Sequence, residues 1–172
     1  AASGKKAKLI DLKGKTLLPS FIDAHSHITS FAETLRLVPL KGVKGEKELV
    51  DAMRKFREER EIAEGEWIIG FGYDHNDFKN HSHPGKETLD QVSKDSPVMI
   101  THISGHMGVL NSKALSIMGI TSSSEDPKGG HIGRIPGSKE PNGYLEENAF
   151  VSVSAKVPKP SKEELKELLT EA

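Results

Sequence analysis

Two histidines one residue apart, His25 and His27, close the run Leu18-Pro19-Ser20-Phe21-Ile22-Asp23-Ala24-His25-Ser26-His27-Ile28. Imidazole nitrogens are strong ligands for zinc-type ions. In a strand, side chains at i and i+2 leave the same face, so both rings can reach one ion. Asp23 shares that face one step earlier, where a carboxylate orients a ligand from behind or sits beside the metal. Phe21, Asp23, His25 and His27 then form one functional edge. A bare His-x-His is more often a surface loop or a pair of core histidines; the apolar run ahead of it makes a metal edge the stronger reading.

Other titratable side chains fall where elements end. Tyr73 and Asp74 close an apolar segment and are placed to line a substrate pocket, with His75 a weaker candidate. His106 follows Gly105 at an expected strand-to-helix junction, the kind of position where sites collect, and is taken as substrate-binding. His102 alternates with core-like neighbours and ranks lower. His81-Ser82-His83 repeats the His-x-His spacing but lies between Asn80 and Pro84-Gly85 with no strand pattern, so a solvated loop is expected. His131 follows two glycines, and close packing explains it as well as chemistry does.

The elements that would position these groups alternate in type. A hairpin-like pair of short strands is expected over residues 8–18 around Lys13-Gly14, running into a strand over 21–27. Leu49, Met53, Phe56 and Ala63 recur at helical spacing, which predicts an amphipathic helix over 46–63 ended by Gly65. Residues 67–73 and 97–102 read as strands, with a short helix near 87–92 between them. Asn111 or Ser112 caps a helix over 113–118, with Gly119 at its end. After a loop over 121–130, short segments are expected near 131–135 and 143–145, and a helix over 146–154. Ser161-Lys162-Glu163-Glu164 is a capping box that launches a last helix. Alternating strands and helices favour an α/β class, with α+β as the alternative.

The 172 residues can bury a core but are too few for a complete (β/α)8 barrel of about 250. With 24 basic against 25 acidic side chains, neither nucleic acid nor an anionic membrane is an expected partner. The chain has no cysteine, so any metal must use nitrogen and oxygen ligands. No apolar run has the length of a membrane span and the polar start lacks a signal-peptide core, so a cytoplasmic protein is expected. The first residue is not Met, and the last helix reaches Ala172 without a stop signal. A piece of a longer polypeptide is therefore expected, with the possibility of self-association through uncovered apolar faces.

Residues 11–27 resemble the opening pattern of the amidohydrolase superfamily: a hydrophobic strand, a turn, and the metal His-x-His. Ser20 departs from it, standing where that family usually has glycine. In order and spacing, four further runs are similar to YtcJ-like metal-dependent hydrolases of amidohydrolase family 3. They are Gly70-Phe71-Gly72-Tyr73-Asp74, Leu89-Asp90 with Ser96-Pro97-Val98, Gly105-His106 through Ala114-Leu115, and Gly129-Gly130-His131-Ile132 with Asn142 through Ala149. Relatives often carry tryptophan at the position of Tyr73. The resemblance covers about residues 9–150, and its strength lies in the order of individually weak motifs.

That resemblance implies a partial (β/α)8-barrel amidohydrolase. Residues 1–18 would start a β-sandwich subdomain, 19–30 would carry the first barrel strand with the metal motif, 31–155 an α/β insertion, and 156–172 the start of the next helix. It implies one or two divalent ions, zinc first, held by His25 and His27. Glu147 falls on the family's Gly-x-Leu-x-Glu pattern as a third, bridging ligand; without the resemblance it reads as an exposed charge in a first helical turn. The implied reaction is hydrolysis of a C–N bond of a small amide-type molecule by metal-activated water. The general base and further ligands would lie beyond Ala172, so this segment alone is expected to be inactive. The rival reading is a regulatory or binding protein on the same fold, like the relatives labelled exoenzyme regulators.

Overall fold

The computed structural model describes residues 10–20 and 25–172. Its centre is a mixed six-stranded sheet in the order β1-β2-β3-β4-β6-β5. The strands are β1 (Val38–Pro39), β2 (Ile68–Tyr73), β3 (Val98–His102), β4 (Met107–Leu110), β5 (Gly130–Arg134) and β6 (Pro141–Glu147). The first three are parallel and are connected through α2 (Glu46–Glu59) and α3 (Lys86–Asp90). The rest are antiparallel, so that Thr101 pairs with Gly108 and Met107 with Glu146. The carboxyl ends of β2, β3 and β6 and the start of β4 thus meet at one end of the sheet. The α/β expectation holds.

Alternation along the strands sends apolar side chains to both faces. Val98, Ile100 and Val109 join Leu49, Val50 and Met53 of α2 and Leu89 of α3 in one buried cluster. Met99, Leu110 and Leu145 join Leu115 of α4 (Ser112–Met118) and Phe150 and Val153 of α5 (Asn148–Ser154) in the other. Asn111 ties these layers together. It is wholly buried; its Oδ1 accepts from the N–H groups of Val98 and Ala114, and its Nδ2 donates to the carbonyls of Ser93 and Ser96. No helix among the described residues is long and apolar enough to cross a membrane.

Several elements differ from expectation. Lys13 and Gly14 do form a turn, at φ 48° and 78° and closed by Lys15 N–H on the Leu12 carbonyl, but residues 10–20 are exposed and no partner strand for them exists among the described residues. Residues 21–24 of the expected metal strand, Asp23 included, lie outside the described residues. His25 to His27 are not in a ladder, and α1 (Ile28–Thr34) begins directly after them, so 28–30 are helical rather than strand. Helix α2 ends at Glu59 instead of running to Ala63, because Glu61 takes the left-handed position (φ 50°) and the Ile62 N–H closes on the Arg57 carbonyl. Residues 146 and 147 end β6, which pairs with β4 and β5, so α5 starts only at Asn148. At the last helix, α6 (Lys162–Glu171), both limbs of the capping box form: Glu164 N–H donates to Ser161 Oγ and Ser161 N–H to Glu164 Oε2.

Candidate metal centre

His25 and His27 turn toward each other. Their Nε2 atoms are 3.1 Å apart and their rings meet edge to face with centroids 4.9 Å apart, both exposed. Two nitrogens bound to one tetrahedral zinc at about 2.0–2.1 Å are roughly 3.3 Å apart. The pair has the separation that one ion would accept, although it is set by the chain leading into α1 and not by a described strand.

Glu147 and His106 meet at the shared end of β4 and β6. The Nδ1 of His106 lies 3.2 Å from Glu147 Oε2, and the Glu147 N–H donates to the His106 carbonyl at 2.7 Å. Glu147 holds φ 50° and ψ −126°, a conformation that L-residues seldom adopt and that costs of the order of 1–3 kcal/mol. His106 sits in the turn between β3 and β4, not before a helix: the apolar run Met107–Leu110 finds strand partners on both sides and is itself a strand.

A denser group gathers around the ends of β2 and β3. Nδ1 of His75 is 3.2 Å from Nε2 of His102, and Asp74 Oδ1 is 3.7 Å from the first and 3.6 Å from the second. Among the described residues, Asp74, His75 and His102 form a group of three metal-ligating side chains with mutually close donor atoms. Asp74 Oδ1 also accepts from the backbone N–H and side-chain Nδ2 of Asn76, both at 2.9 Å. The Asn76 bonds, and then His102, hold the Asp74 carboxyl below the usual carboxylate range. Burial lowers the His102 imidazole.

Tyr73 is fully buried, so it borders the site from within the core rather than lining open surface. Its hydroxyl lies 2.9 Å from Nδ1 of His83, and burial keeps it protonated. His83 stacks on His75 at 4.2 Å and leans on Tyr144 at 4.5 Å. Desolvation, and then the neighbouring His75 and His102, push His83 down to about 4, so it is neutral near pH 7. The expectation of a solvated His81-Ser82-His83 loop is corrected by this packing. His81 is exposed and bonds the Asn76 carbonyl, but His83 turns inward as the chain between the short 3-10 turn His75–Asp77 and α3 folds under Tyr144. His131 pairs with Asp126 at 2.7 Å on the surface, on the edge strand β5 opposite Glu146.

Residues 8–172 match the amidohydrolase family. A curated relative, Protein LONG AFTER FAR-RED 3 of Arabidopsis thaliana, is 36% identical over 163 residues, which are 95% of this chain and 27% of that protein. The N-substituted formamide deformylase of Arthrobacter pascens is 32% identical over 153 residues, 86% of this chain and 27% of the deformylase. A solved structure of an uncharacterized metal-dependent hydrolase from Pyrococcus furiosus superposes with a TM-score of 0.62 at 25% identity, covering 89% of this chain and 28% of that one. The chain spans less than a third of the length of these proteins. The mixed sheet with its helices is thus part of a metal-dependent hydrolase fold, and the chain belongs to the amidohydrolase family.

Proposed function

We propose that this chain supplies the first part of a metal-dependent amidohydrolase, in which His25 and His27 bind a divalent ion of the zinc type and Glu147 adds a carboxylate ligand. The observation that carries the reading is the 3.1 Å separation of the two Nε2 atoms, which suits two ligands of one ion. The bound ion would polarise a carbonyl and make water nucleophilic near neutral pH. The chain's own groups would do the positioning. Glu147, whose carboxylate is kept at the sheet end by its strained backbone and the His106 contact, would offer the oxygen ligand. His106, sharing that contact, would face a small substrate. Relatedness to a formamide deformylase supports a C–N bond of an amide as the target.

The test is metal uptake. After loading with zinc and gel filtration, the wild-type chain should keep an equivalent that the double variant H25A/H27A loses, while Glu147→Gln lowers its affinity. In a polypeptide of the relatives' full length, the same double variant should abolish hydrolysis of an N-substituted formamide. Zinc retention unchanged in H25A/H27A would remove the pair from the centre.

A further inference from the structure

We propose that Asp74, His75 and His102 form a second metal site, one that takes a zinc-type divalent ion independently of His25 and His27. The three donor atoms define a triangle with sides of 3.2, 3.6 and 3.7 Å, and the point equidistant from them lies about 2.0 Å from each. That is the length of zinc–nitrogen and zinc–carboxylate bonds, about 2.0–2.2 Å. Three protein ligands would leave such an ion at least one further coordination position. Two imidazoles and one carboxylate select zinc, cobalt, nickel or iron over magnesium and calcium, which prefer all-oxygen shells.

Each ligand also has a partner that bears on its direction. Asn76 holds the Asp74 oxygen through two bonds. His83, itself anchored to the Tyr73 hydroxyl, stacks against the His75 ring. Ser104 Oγ lies 2.9 Å from the far nitrogen of His102. Orienting contacts of this kind accompany ligands in metal sites and preorganise them. The carboxyl ends of adjacent parallel strands are where open α/β sheets place ligands, and β2 and β3 deliver Asp74 and His102 there.

Loading has a proton consequence. The Ser104 N–H donates to Nδ1 of His102, so the neutral ring carries its proton on Nε2. For an ion to bind at Nε2, that proton must shift to Nδ1, which frees the Nε2 lone pair, and Ser104 Oγ then accepts the Nδ1–H. The Ser104 N–H then turns to solvent, which the exposure of that residue allows. No net proton need leave the ring.

The probe is Co(II) alone, added to the cysteine-free chain and followed by visible absorption. The H25A/H27A variant should still take up one equivalent. Adding His75→Ala, at a partly exposed position, should weaken that uptake by about 100-fold or more, and Ser104→Ala by about 10-fold. In imidazole 15N spectra of the zinc-loaded chain, the His102 proton should appear on Nδ1. No uptake by H25A/H27A, or uptake that His75→Ala leaves unchanged in a chain of native circular dichroism, overturns the second site. The two metal readings separate cleanly. Uptake lost only with H25A/H27A leaves the hydrolase centre and removes this site; uptake lost only with His75→Ala does the reverse.

Discussion

Asn111 is the residue on which the least tolerance is expected. Its amide satisfies four backbone groups on three segments, all inside the protein, and no other side chain of similar volume offers two acceptor and two donor positions there. Asn111→Ala would strand the Val98 and Ala114 N–H groups and two carbonyls, and should cost about 3 kcal/mol in urea unfolding. A loss under about 1 kcal/mol would mean that water enters and replaces the amide. Its capping role over residues 113–118 was legible from sequence because capping is local: Asn stands three residues before the N–H it accepts from. The three long-range bonds were not, since they depend on which strand returns beside it. The same limit separates His25 and His27, whose spacing alone suggested a shared ion, from His83, whose sequence neighbours gave no hint that the loop would fold under Tyr144.

At the scale of elements, helices announced themselves better than strands. The capping box at Ser161 and the left-handed Gly119 after α4 are written in a few adjacent residues. Strand β1 is two residues long, and β4 is ordinary apolar sequence that becomes a strand only because β3 and β6 flank it. Two glycines show how differently the same residue type is constrained. Gly119 needs its positive φ of 69° but has open space where a Cβ would lie, so Gly119→Ala should cost about 1 kcal/mol from backbone strain alone. Gly108 has ordinary dihedrals, yet a Cβ there would collide with the Phe150 ring and the Ile100 carbonyl oxygen. Gly108→Ala should therefore cost about 3 kcal/mol by forcing β3 and α5 apart. Paired denaturation curves for the two variants check the ranking; equal losses would show that the Phe150 side of the sheet yields easily.

For the whole molecule, the question is whether the two apolar clusters behave as one. They lie on opposite faces of a single sheet, and neighbouring residues of β3 and of β4 feed both: Ile100 and Val109 on one side, Met99 and Leu110 on the other. Neither cluster can lose its strands without exposing its counterpart. Trp67, the only tryptophan, packs against the cluster of α4 and α5, so its fluorescence reports on that face. Met53 is fully buried in the opposite cluster. Met53→Ala should remove about 3 kcal/mol by the cavity it leaves. It should lower the midpoint of Trp67 fluorescence by roughly 10 °C, in step with far-ultraviolet circular dichroism, as a two-state unit of this size requires. If the fluorescence transition stayed in place while the helical signal fell, the sheet would be a boundary between two independently melting halves. Interleaving along β3 and β4 argues against that outcome, because the alternation that fills both cores also makes each strand common to them.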